Sequence, residues 1–342
     1  MRRTFFAALA AAGVAAVALS SAGAVSGPAA DSSTGTGRVF LPNPVAELQN
    51  QSLTDRKDAD YAALQPAYHT VTLADLDGSG FLVGRWANVR SETGDPAYSP
   101  TNTFVFNRHD DQFEQVMAYY WITKAQRYIQ SLGFGTGRYP GVNKESQDVR
   151  IDQWGQDNSY SWDKHDVLRF GKGGVDDAED AEVILHEYGH AIQDSQQPTG
   201  SFGTSTEAGS IGEGFGDYWA GTVSTTFAPT PDPACIADWD SVSYTSDLPH
   251  CLRRLDTNLH YPADLNGRVH HDGQIWSRAL WDIRTALGNV KADTVILDAQ
   301  FDFAPDTTMP AAARVTVATA QRIYGTTTAN AVRQAFVARG IL

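Results

Sequence analysis

Two pairs of residues, each four apart, constrain this chain more than any other feature in it. His186 and His190 stand in "AEVILHEYGHAIQD", residues 181–194, and Glu213 and Asp217 stand in "SIGEGFGDYWAG", residues 210–221. On an α-helix, residues four apart lie one turn along the axis and about 40° around it. Each pair therefore occupies one face of its own helix. Asp176, Asp177, Glu179, Asp180 and Glu182 crowd the start of the first helix, where free N–H groups and the helix dipole favour negative charge. Val183, Ile184, Ala191 and Ile192 give that helix its apolar faces.

The residue types suit a metal. His186 and His190 can direct two imidazoles at one ion, and Glu187, at the edge of that face, can reach a water on the ion without binding the ion itself. A catalytic zinc needs a third protein ligand and an open position. The metzincin pattern would supply the ligand at position 196 after a glycine at 193, but Gln196 and Gln193 stand there. Glu213 is the candidate third ligand. Asp217 is the candidate acceptor for the second N–H of a ligating histidine, His186, which would fix its tautomer. The alternative for all four is ordinary solvated side chains on two helix surfaces.

HExxH followed by Glu-x-x-x-Asp on a later helix resembles the gluzincin metallopeptidases of the thermolysin and fungalysin groups, and "HEYGH" with "GEGFGDYWA" is closer to the fungalysin wording. "NSYSW…VLRFGKGG" and "AQRIYG…AVRQAFVARGIL" extend the resemblance over roughly residues 105–342. It implies a two-lobed α+β fold, a strand-rich N-terminal lobe with the zinc helix and a mainly helical C-terminal lobe, the two meeting near 186–215. It also implies one catalytic zinc and, as a structural ion, calcium, for which the acidic cluster 176–182 is a candidate. "RVHHDGQIW" is similar to the segment whose histidine stabilises the transition state, which maps to His270. "CLRRLD" is similar to the segment whose arginine holds the substrate carbonyl, which maps to Arg253 with Arg254 as the near rival. Asn158 and Ser159 fall where the family's edge strand binds substrate backbone. The family's usual tyrosine is replaced by Ser201 or Phe202, and Asp264 and Asp272 are out of register for orienting His270. The resemblance further implies an apolar residue after the scissile bond.

The rest of the chain agrees with a secreted peptidase acting on peptide or protein substrates. "MRRTFFAALAAAGVAAVALSSAGAV" has two arginines, a short apolar run and a small-x-small site at Ala22–Ala24, the pattern of a signal peptide over 1–24. The arginine pair hints at twin-arginine export. Residues 25–37 read as a flexible linker, 38–104 as a strand-rich region, and 105–342 as the catalytic domain. "YHTVTLADLDGSGFLVGRWANV" predicts two strands around a glycine-rich turn; helices are predicted near 113–132, 181–194, 207–222 and, from 272 onward, in four segments. Strands early and helices late make an α+β layout. The net charge of −14 opposes binding to nucleic acid or an anionic membrane, and no second apolar run of membrane length exists. Cys235 and Cys251 are the two cysteines; in an exported chain they predict a disulfide worth roughly 3 kcal/mol by loop closure. A monomer is the default. Two other functions remain open: a catalytically silent binding protein, against which the intact Glu187 argues, and an exopeptidase, against which the lack of a Gly-x-Met-x-Asn run argues.

Overall fold

The computed structural model describes residues 33–198 and 200–342. Its N-terminal part is built from short strands. β1 (Ser33–Val39) precedes a one-turn helix α1 (Pro44–Leu48), β2 (His69–Leu76), β3 (Ala87–Asn88) and β4 (Thr103–Phe104). β1 lies between β2 and β4, antiparallel to the first and parallel to the second. Residues 33–37, expected to belong to a flexible linker, are thus ladder residues; their small side chains suit close packing, with Gly37 against Leu73 and Val116. The expected hairpin partner of β2 does not form a regular strand. After Gly78 and Gly80, both at positive φ, the chain makes single bridges at Phe81, Val83 and Gly84 before the two-residue β3. The expected signal peptide and residues 25–32 of the expected linker lie outside the described residues.

α2 (Gln112–Ser131) follows, and its apolar stripe is buried: Phe113, Val116, Met117, Trp121, Ile122, Ala125 and Ile129 have no exposure. A second sheet forms from β3 with β5 (Gln147–Arg150), β7 (Val167–Arg169) and β6 (Tyr160–Trp162), in that order, so β6 is an edge strand. Then come α3 (Ala181–Ser195) and α4 (Thr206–Phe227), the two helices that carry the four-residue pairs. A small ribbon of β8 (Cys235–Ile236) and β9 (Arg253–Arg254) leads to four helices: α5 (Val269–Leu287), α6 (Asn289–Gln300), α7 (Met309–Tyr324) and α8 (Thr326–Ala338). The expected α+β order, strand-rich first and helical last, is the observed one. Among the described residues no helix is long and apolar enough to cross a membrane.

The acidic run before α3 plays a different part from the one its position suggested. Asp177–Glu179 form a separate 3-10 turn, and all five carboxylates are buried. Asp180 caps α3 by accepting from Glu182 N at 2.9 Å, and it also accepts from the backbone of Trp239 and Asp240. Glu182 accepts from Ser224 Oγ at 2.7 Å and Ala237 N at 2.8 Å. Glu179 accepts from Arg108 Nε at 2.8 Å and from Trp239 Nε1 at 3.0 Å. Buried carboxylates must be paired or hydrogen-bonded to be tolerated, and here that requirement ties the entry of α3 to α4 and to the 237–240 loop. The Cys235–Cys251 disulfide forms and closes the loop between β8 and β9.

Asp293 of α6 does the same for the helical part. It is wholly buried and accepts from Tyr128 of α2 at 2.6 Å, and also from the hydroxyls of Tyr218 and Thr222 on α4. Burial pushes it up to about 6, even against the pull of those tyrosine hydroxyls and of Arg284. In the unfolded chain it ionises near 4, so between about pH 4 and 6 the folded state holds a proton that the unfolded state has lost. Stability from this site is present below that window and is lost as pH rises through it. Asp293→Asn should flatten the fall in unfolding free energy between pH 4 and 6.5, by at most on the order of 3 kcal/mol, as read from urea melts of both proteins across the range.

Candidate active site

α3 and α4 meet at two glycines. A Cβ on Gly189 would lie 3.0 Å from Gly216 Cα, and one on Gly216 would lie 2.7 Å from His186 Nδ1. On its other side α4 meets α5, where a Cβ on Gly214 would lie 2.3 Å from Gly273 O. Glycine costs about 1 kcal/mol in a helix interior, so repeated glycines in "GEGFG" signal a helix gripped from both sides.

The close approach brings the predicted residues together. His186 Nε2 lies 3.2 Å from His190 Nε2 and 3.3 Å from Glu213 Oε2, and His190 Nε2 lies 3.7 Å from Glu213 Oε1. A tetrahedral zinc with bonds near 2.1 Å sets its ligand atoms about 3.4 Å apart. The three donors therefore have the spacing zinc requires. Asp217, one turn along α4, meets His186 Nδ1 at 2.9 Å. Burial favours neutral His190, pushed down to about 4, and neutral imidazole is the form that binds metal. Burial acts the same way on His186, but its hydrogen bonds to Asp217 and Glu213 push it up to about 10. The carboxylates thus create a field that calls for a positive charge at this point.

Glu187 lies beside the donors on the floor of a cleft of about 430 Å³ lined also by Asn158, Ser159, Phe202 and His270. Burial pushes Glu187 up to about 7, a value suited to exchanging protons near neutrality. His270, exposed at the start of α5, points Nε2 at Glu213 Oε2 from 3.3 Å. Asp264 and Asp272 do not orient it: Asp264 accepts from His260 N, and Asp272 meets His271 at 3.0 Å. Arg253 is half-buried against Asp217, with Nε to Oδ2 and Nη2 to Oδ1 both at 2.7 Å. Burial would push Asp217 up, yet Arg253 and His186 hold it below the usual carboxylate range. Arg254 turns the other way, to Asp232 and Asp256. Of the pair Ser201 and Phe202, only Phe202 lines the cleft; Ser201 Oγ donates to Asp163.

The geometry makes two variants informative. Asp217→Ala removes the carboxylate that holds His186 and should weaken zinc binding about 10- to 100-fold. Gly216→Ala forces a methyl against the His186 ring and should weaken it comparably while removing no donor group. Chelator competition at fixed pH measures both.

Three comparisons with known proteins bear on this site. The model of the fungalysin metallopeptidase family (M36) matches residues 101–338, more than half of the chain. Among solved structures, the chain is similar to the precursor of protealysin, a metalloproteinase from Serratia proteamaculans, with a TM-score of 0.56 at 18% identity over 75% of this chain and 85% of that one. No curated protein matches it. At that identity the structural likeness speaks for the fold, and the family match speaks for the chemistry: this chain belongs to the fungalysin metallopeptidases, a family of zinc-dependent peptidases.

Proposed function

We propose that the chain is a secreted endopeptidase of gluzincin type, in which His186, His190 and Glu213 hold one catalytic zinc and Glu187 is the general base. One observation carries the reading: three donors at zinc spacing converge beside a buried carboxylate on the floor of an open cleft. Bound zinc would supply a Lewis acid that polarises the scissile carbonyl and acidifies a water. Glu187 takes the proton as water attacks the carbonyl carbon and later delivers it to the leaving amine. His270 reaches over the same cleft and donates to the developing oxyanion, a role worth a few kcal/mol of barrier, roughly 3–4 for one donor. Asp217 positions His186 by accepting its Nδ1–H. Arg253 spends Nε and Nη2 on Asp217, so Nη1 is the nitrogen left for a substrate carbonyl on the leaving side.

β6 is an edge strand beside the cleft, and an edge strand offers free backbone groups to an extended peptide. Asn158 and Ser159 continue that edge, which supports a role for them in binding substrate backbone. Calcium at 176–182 has less support, because Glu179, Asp180 and Glu182 are already hydrogen-bonded internally. In this reading residues 1–24 are the signal peptide, 38–104 a strand-rich region and 105–342 the catalytic domain of a monomer.

The test pairs metal analysis with casein hydrolysis for the wild-type chain and Glu187→Gln. Both should hold about one zinc per chain, with kcat lowered roughly 10²- to 10⁴-fold in the variant. Zinc in both proteins and cleavage by neither would instead make the chain a binding protein on a peptidase scaffold.

A further inference from the structure

A second cavity, of about 420 Å³, opens from the cleft on the Arg253 side and shares Asn158, Ser159, His186, Glu187 and His270 with it. Its walls include Val183, Ile236 and Leu252, which are apolar. Its other lining is unlike a pocket for an apolar side chain. Asp157, Asp177 and Asp240 each turn a carboxylate oxygen to one spot, within 4.8 Å of one another. Asp177 and Asp240 are 2% and 4% exposed. Asp177 accepts from Ser159 Oγ and Asp240 from Tyr244 at 2.8 Å, but Oδ1 of each accepts no hydrogen bond. Buried acceptors without a donor are costly.

We propose that this cavity is the pocket for the side chain that follows the scissile bond, and that it selects lysine or arginine. The inference rests on the peptidase reading above, which puts Arg253 on the leaving side. A carboxylate at the base of a substrate pocket selects a cationic side chain, and here three carboxylates converge. The apolar walls suit the aliphatic stem of lysine or arginine, whose charged end reaches further than its stem. The Tyr244 ring lines the same cavity and can face a guanidinium. Arg253 does not cancel the acidic lining, since Asp217 neutralises it through two bonds of 2.7 Å. Burial pushes Asp157 up to about 6, and burial with the nearby Asp157 carboxylate pushes Asp177 up to about 8; a cation entering the cavity favours the ionised form of both. The expectation of an apolar residue at this position is replaced by that of a basic one.

Mass-spectrometric mapping of cleavage sites in a complex peptide mixture tests the pocket, with matched peptides carrying Lys or Leu after the scissile bond for kinetics. The wild type should cleave before Lys and Arg in preference to Leu and Phe by about tenfold or more. Asp177→Asn and Asp240→Asn should each cut the Lys/Leu ratio of kcat/KM by about tenfold, mainly through KM. Asp157→Asn, the least buried position of the three, guards against a folding defect and should cut the ratio about threefold. Cleavage before apolar residues, with a ratio unmoved by Asp157→Asn, overturns the inference while leaving the peptidase reading intact. Calorimetric binding of Ca2+ that Asp177→Asn abolishes also overturns it, by making the cluster an ion site. A wild type that cleaves nothing overturns both readings together.

Discussion

The contact between Gly189 and Gly216 sets the distance between α3 and α4, and the site depends on that distance. α3 carries two histidines and α4 two carboxylates, and imidazole and carboxylate side chains are short. A Cβ at either glycine would collide with the facing helix or with the His186 ring. Helices normally pack 8–10 Å apart, so the glycines buy the extra closeness that lets Glu213 and both histidines converge. The cost falls on α4, which holds five glycines over Thr206–Phe227. Such a helix has weak intrinsic stability and depends on its packing against α3 and α5.

Buried charge supplies the rest of the rigidity. His186, Asp217 and Arg253 form one connected group across α3, α4 and β9. Glu182 and Asp180 tie the start of α3 to Ser224 and to the 237–240 loop, and the disulfide closes the segment that delivers Arg253. Breaking one partner of a buried pair leaves an uncompensated charge, a loss of roughly 3–5 kcal/mol. Groups held this firmly have little freedom to drift, which is the condition for keeping His186, His190 and Glu213 in a fixed mutual geometry.

Legibility in the sequence followed the range of the interaction. The helices at 112–131 and 181–195 and the later helical segments were readable because an apolar stripe is a local feature. The second strand of the 68–89 hairpin was not, because alternation alone does not supply a partner; β2 pairs with β1 instead. Residues 33–37 looked like linker because glycine, serine and threonine dominate them, yet small residues also suit a strand pressed against a helix. The acidic run at 176–182 looked like helix-dipole charge because its hydrogen-bond partners, Arg108, Ser224 and Trp239, are far away in the chain.

By itself the sequence determined which residues share a helix face: the helical repeat places His186 with His190 and Glu213 with Asp217, whatever surrounds them. It also determined the order of strands and helices and the family, since these are written in local pattern and wording. Tertiary structure alone set Arg253, and not Arg254, against Asp217, because neighbours in a strand point to opposite sides and only the surrounding fold says which side holds Asp217. It alone joined Asp157, Asp177 and Asp240 into one acidic pocket. Those residues come from three separate segments, and no local rule relates side chains that meet only when distant parts of the chain pack together.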